Sequence, residues 1–175
     1  MQPDSMQPER SAQSEQCEPA ADPVALATAV AGRLGSWTVA TAESCTAGRI
    51  AAWFACVDHA VEFLRGGVVA YQEAEKRSLL GVTADKVVSA QAALEMARGV
   101  ARLMDADVAV ATTGVAGAQP EDGVPGGTVF VATCVRGEAT VAEHRFDGAP
   151  EQVCEAAGRQ ALRDLLDRLP EGGGG

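Results

Sequence analysis

Apolar positions change period along the chain, and each change marks an element. Val24, Leu26, Ala27, Val30, Ala31 and Leu34 recur at helical spacing, which predicts a helix over Val24–Leu34. Trp37–Ala42 is a short apolar run and reads as a buried strand, after which Thr46–Ala55 returns to helix. Gly67–Tyr71 reads as a second strand and Gln72–Leu80 as a helix ended by Gly81. Leu94, Ala97, Val100, Ala101 and Met104 share one face of a helix over Ala90–Met104. Asp107–Thr112 predicts a third strand, and the Gly- and Pro-bearing stretch 114–126 a long loop. Such a loop inside a compact domain is usually functional. Thr128–Val135 and Ala139–Phe146, rich in Val, Thr and Phe and separated by Arg136, Gly137 and Glu138, predict an antiparallel hairpin. Glu151–Leu169 closes the pattern as a helix. Strands alternating with helices, plus one hairpin, imply an α/β fold: a three-layer α/β/α sandwich with a mixed sheet of about five strands.

The two ends lack this patterning. Residues 1–22 are rich in Gln, Ser, Glu and Pro with almost no large apolar side chains, so a disordered acidic tail is expected there. Residues 170–175 are expected to be a flexible Gly-rich end, leaving 23–169 as one domain. With 47% hydrophobic residues, that domain can bury a core without disulfides or metal. The five cysteines are odd in number and have no C-x-x-C spacing, which points to reduced thiols and against a zinc site. A net charge of -10 and only 4% aromatic residues weigh against nucleic acid as a partner. No apolar run approaches membrane-spanning length, and the N-terminus lacks the basic-then-apolar order of a secretory signal. A cytoplasmic protein with no membrane partner is the expectation, with homo-oligomerisation left open.

Ligands of open α/β sheets bind outside the carboxyl ends of the strands, and three segments fall there. They are Glu43-Ser44-Cys45-Thr46-Ala47-Gly48, then Tyr71, then Thr112-Thr113-Gly114-Val115-Ala116-Gly117. A serine between a strand and a helix is expected where free backbone N–H groups and the helix dipole converge, suiting it to oxyanion chemistry or phosphate binding. It equally suits a plain helix cap. A Ser-His-Asp triad is disfavoured, because the two histidines, His59 and His144, lie outside these segments. The basic residues offer another proton acceptor. Only two are lysines, Lys76 and Lys86, and a lysine can lose its proton where an arginine effectively cannot. Tyr71, the sole tyrosine, stands five residues before Lys76. A surface lysine and a half-buried tyrosine would give the same pattern. Cys45 is a rival nucleophile, though no histidine accompanies it. The glycine spacing of T-T-G-V-A-G matches neither a Rossmann nor a P-loop motif.

Taken together, ESCTAGRIAA, GGVVAYQEAEKRSLLGV, and ATTGVAG followed by VPGGTVFVA resemble the competence-damage-inducible CinA C-terminal domain family. Its enzymatic members are nicotinamide-nucleotide amidohydrolases. The resemblance runs from about Val24 to Leu169 and implies hydrolysis of nicotinamide mononucleotide to nicotinic acid mononucleotide and ammonia, without metal or redox cofactor. It implies Ser44 as nucleophile, Tyr71 and Lys76 as its catalytic partners, and Thr46, Gly48, Thr113, Gly114 and Arg145 as substrate-binding positions. Three stretches depart from the family pattern. The loop resembling S-V-P-G-S reads Cys56-Val57-Asp58-His59-Ala60, and A-G-P reads Ala116-Gly117-Ala118. The late F-x-G-D-R-x-x-V-R pattern runs from Phe146 to Cys154, with Pro150 and Cys154 at the two arginine positions. These departures bear on substrate affinity and identity. A catalytically weak or inactive binding module for a nucleotide or protein is the alternative function, and hydrolysis of another small amide a third.

Overall fold

The computed structural model describes residues 22–121 and 123–172. The expected tail, apart from Asp22, and the last three glycines lie outside the described residues. In chain order the elements are α1 (Pro23–Leu34), β1 (Val39–Glu43), α2 (Arg49–Ala55), α3 (Ala60–Phe63), β2 (Leu64–Val69), α4 (Glu73–Leu80), α5 (Ala90–Met104), β3 (Val108–Gly114), β4 (Thr128–Val135), β5 (Glu138–Arg145) and α6 (Pro150–Arg168). One five-stranded sheet has the order β2-β1-β3-β4-β5, with β1 parallel to both β2 and β3 and the last two strands antiparallel. The mixed three-layer sandwich read from the sequence is the observed architecture.

Period-two alternation assigns the two sheet faces. Val39 of β1, Val108 and Val110 of β3, and Val129 and Val131 of β4 pack with α1, α2 and α6. Ala40, Ala42, Ala109, Ala111 and Ala132 face the other way, against Leu80 of α4 and the small side chains Ala92, Ala93 and Ala97 of α5. Alanine meeting alanine lets α5 approach the sheet closely, while valines fill the wider space under the opposite helices. The same alternation turns Thr41 and Glu43 toward the α2 face, and both are fully buried.

Boundaries moved where side chains captured backbone groups. Asp22, expected in the tail, is the N-cap of α1 and accepts from Val24 N at 3.0 Å. Ser89 caps α5 through Ala92 N, and that helix has the bounds expected from its apolar stripe. The hairpin turn uses only Arg136 and Gly137, both at positive φ (51° and 88°), so Glu138 joins β5. β2 starts three residues before the expected Gly67 and ends two before Tyr71. The one-turn helix α3 has no counterpart in the sequence reading, because four residues carry too little periodicity to register.

Candidate active site

The carboxyl ends of β1, β2 and β3 lie side by side, since Glu43 is level with both Val69 and Thr112. A cleft of about 660 Å³ opens there, lined by Ser44 and Cys45 after β1, Tyr71, Gln72, Glu73 and Lys76 after β2, Gly114 to Gly117 at the end of β3, the loop carrying Gln119 to Glu121, and Pro150. A side chain at Gly114 would run into the Thr128 carbonyl oxygen at 2.6 Å, so glycine is what lets β3 stay close to β4 at the cleft wall.

Glu43 organises the segment that carries Ser44. Its buried carboxylate accepts from Thr41 Oγ1 (3.1 Å) and Ala51 N (2.9 Å) on Oε1. On Oε2 it accepts from Thr46 Oγ1 (2.7 Å), Gly48 N (2.9 Å) and Ile50 N (3.2 Å). Five donors converge on a group whose ionised form only accepts. The carboxylate thereby caps the start of α2, and Gly48 takes φ 90° to present its N–H. Ser44 N continues the β1–β3 ladder by donating to Thr112 O at 3.0 Å, and Ala47 N folds back to Ser44 O at 3.1 Å.

This arrangement corrects the expectation that Ser44 sits on the free N–H groups of a helix. α2 begins five residues later, and the N–H groups of Gly48, Ile50 and Ala51 are already taken by Glu43. The backbone N–H groups of Thr46, Ala116 and Gly117 donate to no acceptor among the described residues, and Ala116 and Gly117 line the cleft. They are the donors available to an oxyanion. Ser44 itself is 7% exposed, and its hydroxyl has no hydrogen-bond partner among the described residues.

Lys76 is 3% exposed and forms no ion pair among the described residues. Its Nζ donates to the backbone carbonyl of Tyr71 at 3.1 Å. Burial pushes its ammonium below the usual lysine range, against the opposing pull of Glu121, Glu73 and Glu75. Tyr71 lies on the rim, 63% exposed, and its link to Lys76 runs through the main chain. Burial, reinforced by Cys154, pushes the Cys45 thiol up to about 12, so it stays protonated where a cysteine nucleophile must be a thiolate.

Ser44, Tyr71, Lys76 and Gly114 therefore share one cleft, and the other positions that the resemblance implies for substrate do not line it. The Thr46 hydroxyl is turned onto Glu43 and Thr112, Gly48 N is held by Glu43, and the Thr113 hydroxyl donates to Val87 O at 2.8 Å. Arg145 is exposed at the end of the edge strand β5. Of the two replaced arginine positions, Pro150 lines the cleft and Cys154 does not. The Cys56-to-His59 departure borders a separate cavity of about 570 Å³ against α1. Among the described residues no cluster of His, Cys, Asp and Glu could hold a metal ion, and no helix is long and apolar enough to cross a membrane.

Known proteins share sequence and fold with this chain. A curated "Putative competence-damage inducible protein" of Desulforamulus reducens is 38% identical over 131 residues, 72% of this chain, and the chain spans only 32% of that relative. Protein YdeJ of Escherichia coli K12 is 37% identical over 74% of this chain and 78% of its own length. A crystal structure of a CinA superfamily protein from Klebsiella pneumoniae superposes with a TM-score of 0.80 at 36% identity, covering 84% of this chain and 97% of that one. One from Escherichia coli gives 0.81 at 33% identity, covering 91% and 96%. The family model described as the CinA C-terminal domain matches residues 24–169, and the chain belongs to that family.

Proposed function

We propose that this chain is a serine amidohydrolase acting on a small carboxamide of the pyridine nucleotide class, nicotinamide mononucleotide being the substrate that the sequence resemblance implies. The observation that carries the reading is Lys76: a buried lysine without an ion pair, its charged form disfavoured, on the same cleft as an unpartnered serine. An uncompensated buried charge is costly, and such groups concentrate at functional sites.

In this reading neutral Lys76 accepts the Ser44 proton while it keeps an N–H on Tyr71 O. Ser44 Oγ bonds to the amide carbon, and the carbonyl oxygen becomes an oxyanion within reach of the cleft's N–H groups. Lys76 returns the proton to the leaving nitrogen, the C–N bond breaks, and ammonia departs. Water then adds to the ester and releases the carboxylic acid, regenerating the Ser44 hydroxyl. The geometry favours Lys76 over Tyr71 as the base, because the contact between them uses the Tyr71 carbonyl and leaves the phenol on the rim.

The test is ammonia release from nicotinamide mononucleotide, nicotinamide and glutamine, assayed side by side. Turnover of the first supports the full reading, and turnover of another amide alone supports hydrolysis with a different substrate. Release from none rejects hydrolysis in favour of a binding module.

A further inference from the structure

Charge is unevenly spread around the cleft. Glu73 and Glu121 line it and both act on Lys76, which places these acids at the Lys76 end. Arg77 partly offsets Glu73 at 2.7 Å, and Glu121 has no ion pair among the described residues. Another part of the wall comes from α6, a helix of 19 residues whose first residue, Pro150, lines the cleft. Proline costs the helix nothing there, because its first N–H would have no intrahelical acceptor. The next two N–H groups, of Glu151 and Gln152, are open. The N-cap is Ala149, whose methyl cannot accept, and neither N–H has an acceptor among the described residues.

This end of α6 is fixed in place without using those donors. Gly148 turns the chain at φ 122°, and the Gln152 side chain reaches back to accept from Ala149 N at 2.9 Å. Glu151, the acid of the first turn, is exposed and does not line the cleft. A cation stands near the same turn: burial raises the Cys154 thiol, and the Arg49 guanidinium pulls against it. A second observation points to a ligand in this cleft. Ser44 is 7% exposed and lines it with a hydroxyl that has no hydrogen-bond partner among the described residues. At about 660 Å³ the cleft also falls within the roughly 300 to 1,000 Å³ of small-molecule sites.

We infer that the N-terminus of α6 seats the phosphate of the substrate through the N–H groups of Glu151 and Gln152, opposite in charge to the acidic Lys76 end. The inference rests on the amidohydrolase reading and narrows its substrate class to carboxamides with a cationic ring and a phosphomonoester tail. The ring meets Glu121 near Lys76, and a phosphate charge of about −1.5 to −2 meets the helix dipole with Arg49 near it. No arginine lines the cleft, so backbone donors carry the contact.

Filling the helix end from within tests this. Ala149 already has the backbone of an N-cap (φ -67°, ψ 156°), so Ala149→Asp supplies a carboxylate that accepts from the same N–H groups and competes with phosphate. Nicotinamide mononucleotide and nicotinamide riboside differ only by the phosphate, and calorimetric titration into Ser44→Ala protein reads their binding without turnover. The mononucleotide is expected to bind about tenfold or more tighter, an advantage that shrinks as salt rises. Adding Ala149→Asp should weaken the mononucleotide by about tenfold or more, leave the riboside within about twofold, and raise the thermal midpoint as a new cap does. Ala149→Ser, a neutral cap, should weaken the mononucleotide by about threefold. Phosphate-dependent binding with no ammonia released by the wild type would reject hydrolysis and keep the seat. Ammonia release from both compounds with equal affinity would keep hydrolysis and overturn the seat. Binding of neither compound, equal weakening of both, or a mononucleotide affinity untouched by either Ala149 variant would overturn it as well.

Discussion

Replacing Glu43 by glutamine changes one oxygen of the buried carboxylate into an NH2 and leaves the shape intact. If the amide oxygen takes the place of Oε2, the contacts to Thr46, Gly48 and Ile50 survive as neutral hydrogen bonds. The NH2 then faces Thr41, whose hydroxyl can rotate to accept, and Ala51 N, which cannot. A buried N–H without an acceptor costs about 1 to 3 kcal/mol, and each bond that loses its charge assistance weakens by about 1 kcal/mol. Relief from burying a charge offsets part of this, leaving a destabilisation of about 2 to 4 kcal/mol. For a domain of this size that corresponds to a midpoint drop of roughly 5 to 15 °C. Ser44 follows Glu43 directly, so kcat/KM for the amide is expected to fall by more than about tenfold in protein that is still folded, as a shift of the serine costs catalysis steeply. Urea unfolding at constant m-value gives the stability term and ammonia release gives the second. A Glu43→Gln protein within about 0.5 kcal/mol of wild type would refute the claim that this carboxylate organises the loop.

Lys76→Arg is expected to abolish turnover almost as fully as Lys76→Ala, since arginine keeps the charge but does not release a proton; equal activity of Lys76→Arg and wild type would remove it from proton transfer. Because the folded Lys76 pKa is lowered, the unfolded chain holds more protons between that lowered value and about 10.4, and stability gains with pH across that window. Urea midpoints of Lys76→Met should lack this rise, and parallel pH profiles of the two proteins would contradict the shift. Alkylation of the native protein near neutral pH, read by peptide mass mapping, should modify exposed Cys56 and spare Cys45, whose thiol is pushed up to about 12. Pro150→Arg should tighten nicotinamide mononucleotide by about ten- to a hundred-fold through a charge-assisted contact, while Cys154→Arg, off the cleft wall, should not. Titration of both variants checks this, and equal effects would contradict the placement.

Much of the fold was legible because its packing is periodic. The Val-Ala-Val-Ala run of β3 encodes two faces lined by side chains of different size, and the stripe on α5 has one face and a serine cap, so its bounds needed no tertiary information. The cleft was found by strand ends, which brought Ser44, Tyr71, Lys76 and Gly114 together. Thr46, Gly48 and Thr113 belong to the same segments but turn away, a choice made by hydrogen-bond partners distant along the chain or across the loop. The sequence pattern alone assigns Glu43 no role beyond its place at a strand end. Its signal was available: alternation puts it on the same face as Val39 and Thr41, so an acid there had to be buried, and a buried acid needs donors such as those of the Thr-Ala-Gly turn.

Acyl transfer in this cleft requires the Ser44 hydroxyl above all. Ammonia release by the Ser44→Ala protein, with its thermal midpoint recorded alongside, should fall to background while the midpoint stays close to wild type, because the hydroxyl has no hydrogen-bond partner to lose among the described residues. Retention of more than about a tenth of the wild-type rate by the folded variant would show that no acyl-enzyme forms on Ser44.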